Sequence, residues 1–325
     1  MNPKLSICIP TYNRAQYLTE SLGSILEATK DFENEVEIII SDNASTDNTK
    51  EVVGEYLLKY SFISYSRNDK NVVDENFFIA AGLAKGDYIW LFSDDDAIEK
   101  DTVKVVLQNI ADKNKYDLIV LNAKLKSKDL KEELKRNYLG VEKDEIICSK
   151  NTLLKRFGIK LGFISSIIAQ RYIFEQSNIV DYKRFIEYGF SFLFVILSSI
   201  KNKPKIKIIA SRLVLIRQAN ALYLTERWYK IFAVGSSLVL DELRKYEYTE
   251  HSIKKAKYIV LKDYVVCDLS YRKRLGASLR GVPSVLIKWY SAFLFFWIVC
   301  LPVLYMPKQI VQLLRAIYLK FLQKK

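Results

Sequence analysis

Apolar positions along the first 125 residues switch repeatedly between a strand period and a helix period. Residues 5–9 form a short apolar run closed by Pro10, as a buried strand would. Leu18, Leu22, Ile25 and Leu26 then recur at helical spacing. Residues 36–40 give a second strand. Asp47 stands where it would cap a helix whose buried stripe is Val52, Val53, Tyr56, Leu57 and Tyr60. A third strand is expected over 62–65, a helix over 76–84 stopped near Gly86, and a fourth strand over 88–92. A helix from Asp101 to Ile110 and a fifth strand over 118–121 follow. This alternation predicts an α/β fold with a mostly parallel sheet and helices on both faces. Parallel strands are buried on both sides, so they read as near-continuous apolar runs.

Beyond residue 123 the pattern changes. Residues 124–151 are rich in Lys and Glu, with few apolar anchors, and predict a solvated insert. Buried runs return at 163–169 and 190–200. Residues 206–216 predict two strands or one long bent strand, and 226–270 a helical region. Residues 282–306 carry one charge, Lys288, and 289–306 carry none, which is near the lower limit for a membrane span. Pro302 interrupts this stretch and Pro307 bounds it. Trp289, Tyr290, Trp297 and Tyr305 are candidate interfacial anchors. Residues 309–322 continue amphipathically, with Ile310, Leu313, Leu314, Ile317 and Phe321 on one side.

Charge sharpens this reading. The 325 residues carry a net +13, but residues 1–100 hold 9 basic against 18 acidic residues, so the excess cation lies further on. Arg272, Lys273, Arg274 and Arg280 precede the apolar stretch; Lys308, Arg315, Lys320, Lys324 and Lys325 follow it. Cations on both flanks suit helices lying in one leaflet at an anionic surface better than a clean crossing, although a single span stays open. The alternative is a buried C-terminal helix. The N-terminus reads as a strand start, with no basic region and long apolar run of a signal peptide. Four cysteines without metal-ligand spacing read as reduced thiols, and the single histidine, His251, excludes a His-based triad or a multi-histidine zinc site.

Polar clusters follow the strands. The first strand delivers Thr11, Tyr12, Asn13 and Arg14; the second Asp42 to Asp47; the fourth Ser93, Asp94, Asp95 and Asp96. Ligands of open parallel sheets bind beyond the carboxyl ends of strands. Three consecutive carboxylates repel one another, and a hard divalent cation, Mn²⁺ or Mg²⁺, offers a reason for them. Such an ion takes one or two protein carboxylates and completes its shell from phosphate oxygens, which points to a diphosphate ligand.

The segments Ile9-Pro10-Thr11-Tyr12-Asn13-Arg14, Ser41-Asp42-Asn43-Ala44-Ser45-Thr46-Asp47 and Gly86-Asp87-Tyr88-Ile89-Trp90-Leu91-Phe92-Ser93-Asp94-Asp95-Asp96 resemble the three signature segments of family 2 glycosyltransferases. Within that family the chain most resembles O-antigen abequosyltransferase-like enzymes, well over residues 4–125 and loosely over 160–220. The resemblance implies a GT-A fold and transfer of a sugar from a nucleoside-diphosphate sugar. It implies a lipid-linked saccharide acceptor at the cytoplasmic face of the inner or plasma membrane, in O-antigen or capsule assembly. Pro10, Thr11, Tyr12 and Arg14 would line the nucleotide pocket, Asp42 would hydrogen-bond the base, and Asn68 and Asn76 would lie near the nucleotide. Asp94 and Asp95 would meet the donor, with Asp95 and Asp96 at the metal; Ser93 stands where the family's first Asp would be. The catalytic base would come from Asp181 or Glu187. Glu187 is preferred because it lies closest to the apolar run at 190–200, where partial burial would raise its pKa. Arg217, Arg227 and Trp228 are candidates for the acceptor.

The implied organisation is a glycosyltransferase domain over 1–225, with a nucleotide-binding half (1–125) and an acceptor half (126–225). A helical region (226–281) and a membrane-associating segment (282–325) follow. Two other readings compete. A sugar nucleotidyltransferase would show a Gly-rich phosphate loop after the first strand, and none is present. A non-catalytic basic membrane-associated protein fits the charge of the tail. Nucleic acid is disfavoured as a partner, because the acidic first hundred residues would repel a phosphate backbone.

Overall fold

The computed structural model describes residues 2–176, 181–218 and 228–313. The first apolar run becomes β1 (Leu5–Thr11), buried at every position, followed by α1 (Ala15–Thr29), which turns Leu18, Leu22 and Ile25 into the core. Next come β2 (Val36–Asp42), α2 (Thr49–Leu57), β3 (Ile63–Arg67), α3 (Glu75–Gly82) and β4 (Tyr88–Leu91). These four strands pair in parallel, in the order β3-β2-β1-β4. The pairing sets Thr11 level with Asp42 and Cys8 level with Leu91, so β1 and β2 end together and β4 ends three residues earlier toward the same edge.

Past β4 the sheet becomes mixed. β5 (Ala97–Ile98) and α4 (Thr102–Ile110) precede β6 (Leu118–Lys126), which does not pair with β4. The buried run at 163–169 supplies β9 (Ile167–Gln170), which inserts antiparallel between β4 and β6. The segment 124–151 is not wholly solvated: β6 runs on to Lys126, and β7 (Glu133–Asn137) and β8 (Glu145–Ile147) pair beside β6 and β10. Its charges are those of short peripheral strands with one face in water, which is how sheet edges avoid further pairing. Residues 206–216 form one long strand, β10 (Ile206–Arg217), bent by two register shifts around Arg212. Residues 190–200 form α7 (Ser191–Ser199), buried through most of its length.

Two compact units result. The first, residues 1–153 and 160–222, holds the sheet. The second, Leu154–Ile159 with Tyr223–Lys325, is helical. Its core includes Leu240, Leu243, Ile253, Leu261, Leu269, Leu286, Tyr290 and Phe296. The stretch 282–306 breaks into a helix at Val282–Tyr290 and a second helical run ending in Leu301–Tyr305. Among the described residues no helix is long and apolar enough to cross a membrane, so the single span left open by the sequence is not formed there. Tyr290 is not an interfacial anchor either: it is fully buried, and its hydroxyl accepts from Ser237 Oγ at 3.3 Å. Trp228 is likewise a core residue, under the Arg272 guanidinium. Arg227 and residues 314–325 lie outside the described residues.

One glycine fixes the approach of β4 to β1. A Cβ on Gly86 would lie 2.7 Å from the backbone nitrogen of Ser6, and the Gly86 N–H donates to Ser6 Oγ at 2.8 Å. Replacing Gly86 with Ala should therefore destabilise the protein by about 2 kcal/mol in denaturant unfolding, the cost of overpacking a tight site. An unchanged midpoint would show that β1 yields freely.

Candidate active site

The site is assembled from the loops after β1, β2 and β4, which leave the sheet at the same edge. Asn13 adopts a left-handed backbone (φ 52°), and this turn brings the first loop onto the second. Asn13 N donates to Ser45 Oγ at 2.9 Å, and Thr46 N donates to Asn13 Oδ1 at 2.6 Å. Asp47 accepts from Ala15 N at 3.1 Å and from Thr49 N at 3.1 Å, so one carboxylate caps the first turns of both α1 and α2. Pro10 and Thr11 are buried and Tyr12 is exposed at the rim.

The three aspartates after β4 have three different surroundings. Asp94 is buried; Thr11 Oγ1 donates to it at 2.8 Å and Arg14 at 3.0 Å. Burial pushes its carboxyl up to about 6, although Arg14 and Thr11 both oppose that rise. Asp95 lies nearer the surface, with Arg14 at 2.9 Å and the Ser93 hydroxyl on its other oxygen. Asp96 is buried, accepting from Ser165 Oγ at 2.7 Å and from the Arg217 backbone N–H at 3.1 Å. Burial holds the Asp96 carboxyl well above the usual carboxylate range. The sequence reading set Asp96 at the metal; in the structure both of its oxygens are engaged by Ser165 and the Arg217 backbone.

Two arginines hold this loop from opposite sides. Arg14 binds carboxylates. Arg217, at the end of β10, is almost completely buried; its Nε donates to the Asp95 carbonyl at 2.7 Å and its NH2 pairs with Glu20 at 2.5 Å. It also donates to the Lys128 carbonyl and packs over the Tyr17 ring, 4.9 Å from the centroid. Sequence reading placed Arg217 with the acceptor; the structure places it beneath the acidic loop. The signal available was its position closing a long apolar strand. Ser165 went unnoticed, yet it accepts from Ser93 N, bonds Asp96 and offers its carbonyl to Trp90 Nε1.

At the other end of the site, Asp42 is buried with its oxygens already engaged. Ser45 N reaches one at 2.8 Å; Tyr65 OH at 2.6 Å and Arg67 at 2.8 Å reach the other. Burial pushes its carboxyl up, but the bonds from Ser45, Tyr65 and Arg67 outweigh that and hold it below the usual range. Arg67, exposed beside Asp42, is a rim residue the sequence reading missed. Asn76 is also buried: it accepts from Ser41 Oγ at 2.6 Å and from Asn68 at 2.9 Å, and donates to the Ser41 carbonyl at 2.8 Å. Its side chain clasps β2 to α3. Asn68 joins the same network, donating also to Asn43.

Glu187 and Asp181 sit on and just before a short 3-10 helix, Lys183–Tyr188, and both are exposed. Partial burial, the reason for preferring Glu187, is therefore absent. Asp181 faces Arg184 at 3.7 Å. Three contacts dock this segment against α3: Lys183 with Glu75 at 3.0 Å, Tyr182 against the Phe78 ring, and Ser191 Oγ donating to Asp74 at 3.1 Å. Asp74 is half-buried, and burial pushes its carboxyl up to about 6. The preceding residue, Val73, has φ 53°, strained for a β-branched residue, and its carbonyl accepts from Asn43.

Comparison with known proteins gives a consistent result. The family model described as Glycosyl transferase family 2 matches residues 6–177. Abequosyltransferase RfbV of Salmonella typhimurium is 35% identical over 207 residues, 60% of this chain and 60% of that protein, so the match spans less than two thirds of that relative. Poly(ribitol-phosphate) beta-N-acetylglucosaminyltransferase TarS of Staphylococcus aureus is 31% identical over 123 residues, 37% of this chain and 21% of that one. The crystal structure of TarS 1-349 in complex with UDP-GlcNAc superposes with a TM-score of 0.64 at 17% identity, covering 89% of this chain and 81% of that one. Mannosyltransferase PcManGT from Pyrobaculum calidifontis, in complex with GDP-Man and Mn²⁺, gives 0.52 at 14% identity, covering 100% and 88%. At these identities the structural likeness establishes the fold, GT-A.

Two stability tests follow. Lys at position 217 keeps the charge but cannot span Asp95, Lys128 and Glu20 together, so Arg217→Lys should cost about 1–2 kcal/mol in denaturant unfolding. A parent-like midpoint would mean the clamp adds nothing. For Asp74, the raised folded pKa means that the native state binds the extra proton between the unfolded value and about 6, so ionisation above that window opposes folding. Asp74→Asn should therefore gain about 1–2 kcal/mol over the parent at pH 7.5 and nothing at pH 3.5. Equal gains at both pH values would count against a buried titrating carboxyl.

Proposed function

The chain belongs to glycosyltransferase family 2, and we propose that it moves a sugar from a nucleoside-diphosphate sugar to a hydroxyl of a lipid-linked saccharide. The setting is assembly of a bacterial surface polysaccharide, O-antigen or capsule, at the cytoplasmic face of the inner or plasma membrane. The observation that carries this reading is the cluster of Thr11, Arg14, Asp94 and Asp95, in which two strand-end loops converge on one carboxylate pair. The name of RfbV, an abequosyltransferase, and that of TarS, which acts on poly(ribitol-phosphate), support a polymeric glycan acceptor. The UDP-GlcNAc complex of TarS supports a nucleotide-sugar donor.

In this reading Pro10, Thr11, Tyr12 and Arg14 line the nucleotide pocket, and Asp42 with Arg67 borders the base. Asp94 orders Thr11 and Arg14, and Arg14 keeps its guanidinium between Asp94 and Asp95 beside the diphosphate. Mn²⁺ or Mg²⁺ fits if shared with that diphosphate: Asp95 is the carboxylate of the three nearest the surface, and phosphate oxygens would supply the other ligands. Among the described residues no group of three or more His, Cys, Asp or Glu stands together as a cage for an ion. When bound, the ion neutralises charge on the departing diphosphate. The acceptor hydroxyl oxygen bonds to the anomeric carbon, and the bond from that carbon to the phosphate oxygen breaks with its electron pair leaving on the nucleoside diphosphate. The hydroxyl proton passes to a carboxylate of the docked segment, Glu187 or Asp181.

A donor screen tests these roles by nucleoside-diphosphate release with Mn²⁺ or Mg²⁺. Asp95→Ala should lose at least about 100-fold in metal-stimulated release, the scale on which removal of a charge-stabilising group acts. Glu187→Gln should lower kcat more than it raises the donor KM. Parent-like release by Asp95→Ala would sink the metal role. Loss in Asp181→Asn with none in Glu187→Gln would move the base to Asp181.

A further inference from the structure

The helical unit presents an apolar surface with no counterpart in its core. Within 282–306, Leu286, Tyr290, Phe293, Phe296, Cys300 and Leu304 face inward and are buried. The opposite side should be polar on a helix that merely closes a soluble unit. It holds instead Ile287 (40% exposed), Leu294 (73%), Trp297 (45%), Ile298 (64%) and Tyr305 (69%). Leu294, Ile298 and Tyr305 lie along the second helical run, and Ile287 on the helix before it. Exposed Ile310 and Leu313 continue the apolar character. The stretch is therefore apolar on two sides, and the outer one is exposed among the described residues.

Charge selects the occupant. Residues 269–325 contain ten Lys and Arg and not one Asp or Glu. Lys288 and Lys308 are exposed within and just beyond the apolar run. A second copy of this chain would bring an equally cationic surface to the same face, whereas an anionic bilayer would neutralise it. Residues 294–305 are 12 in number, about 18 Å as helix against about 30 Å of bilayer hydrocarbon, so this face can lie along a membrane but not cross one. An aromatic ring with a polar handle at Trp297 and at Tyr305 suits the boundary between headgroups and acyl chains.

We infer that the outward face carrying Ile287, Leu294, Trp297, Ile298 and Tyr305 is an in-plane docking surface for an anionic lipid bilayer. It deepens the reading of a lipid-linked acceptor, and rests on that reading for its purpose, since docking would keep the enzyme where such an acceptor resides. The evidence for it is independent of the catalytic site.

The test is flotation of the full chain with phosphatidylglycerol–phosphatidylcholine vesicles and with phosphatidylcholine vesicles alone. The parent should float with the anionic vesicles, and salt should weaken its binding. Leu294→Glu with Ile298→Glu should lower vesicle partitioning at least about tenfold, because each places a charge where apolar surface should insert. Lys288→Glu with Lys308→Glu, an independent pair, should abolish the preference for anionic lipid. Leu58→Glu, at an exposed leucine of the other unit, should bind as the parent does. Metal-stimulated nucleoside-diphosphate release, measured without vesicles, should be equal in all of these variants, so loss of docking and loss of catalysis are read separately. Parent flotation equal with and without phosphatidylglycerol, or undiminished in the Leu294 and Ile298 double variant, overturns the inference. So does a parent that fails to float but forms a dimer dispersed by that variant in light scattering.

Discussion

Three adjacent carboxylates on a strand-end loop are tolerable only if something other than water stabilises them; here the Arg14 guanidinium and the hydroxyls of Thr11, Ser93 and Ser165 bind the carboxylates, while the Arg217 guanidinium holds the loop's backbone. Arg14 reaches Asp94 and Asp95 from the start of α1; Arg217 reaches the loop from the far end of β10. The two arginines are 203 positions apart, and the sheet order must be complete before both can meet the same loop. The clamp is thus a product of long-range topology: β10 stays paired with β6 through two register shifts to their common end, where Arg217 lies opposite Lys126. Removing one partner of a buried charge pair costs more than the pair contributes, because the survivor remains desolvated. The loop geometry and the fold are consequently held by the same contacts.

Much of this was legible in the sequence. The first four strands and their intervening helices follow from apolar periodicity: β1, β2 and β4 are buried almost throughout, β3 at the sheet edge only in part, and each helix shows one stripe. The strand-end clusters located the site for the same reason. What periodicity could not reveal was strand direction past β4. The run at 163–169 looks the same whether parallel or antiparallel, so β9 in the middle of the sheet was invisible. Nor could composition separate a charged edge strand from a solvated insert, which is why β7 and β8 went unread.

Side-chain roles were less legible than positions. Asp94, Asp95 and Asp96 are identical in type and consecutive, yet one orders Thr11 and Arg14, one lies near the surface, and one is consumed by Ser165 and the Arg217 backbone. Alternation along a loop decides which carboxylate turns inward, and no propensity encodes it. Asn76 and Asp42 show the same effect: polar residues at a strand edge that serve as internal clasps. Glu187 errs in the opposite direction. Nearness in sequence to the apolar run of α7 suggested burial, but the run starts a helix at Ser191, and the 3-10 turn before it leaves the glutamate in water.

The distribution of charge gives these local facts a common direction. The first hundred residues are acidic overall, and the crevice at their strand ends shows carboxylates with a few guanidiniums among them. A diphosphate approaching such a surface is repelled unless cations intervene, and Arg14 is already committed to Asp94 and Asp95. Either the phosphates draw Arg14 away, stranding two carboxylates, or further positive charge arrives with them. The second course leaves the clamp intact and gives Asp95 an electrostatic reason to stay near the surface while its neighbours are buried. A single protein carboxylate binds a hard cation weakly, so the same arrangement ties occupancy of the ion to occupancy of the donor. A carboxylate near the surface that is already shared between Arg14 and Ser93 is better suited to an ion held jointly with pyrophosphate than to one bound by the protein alone.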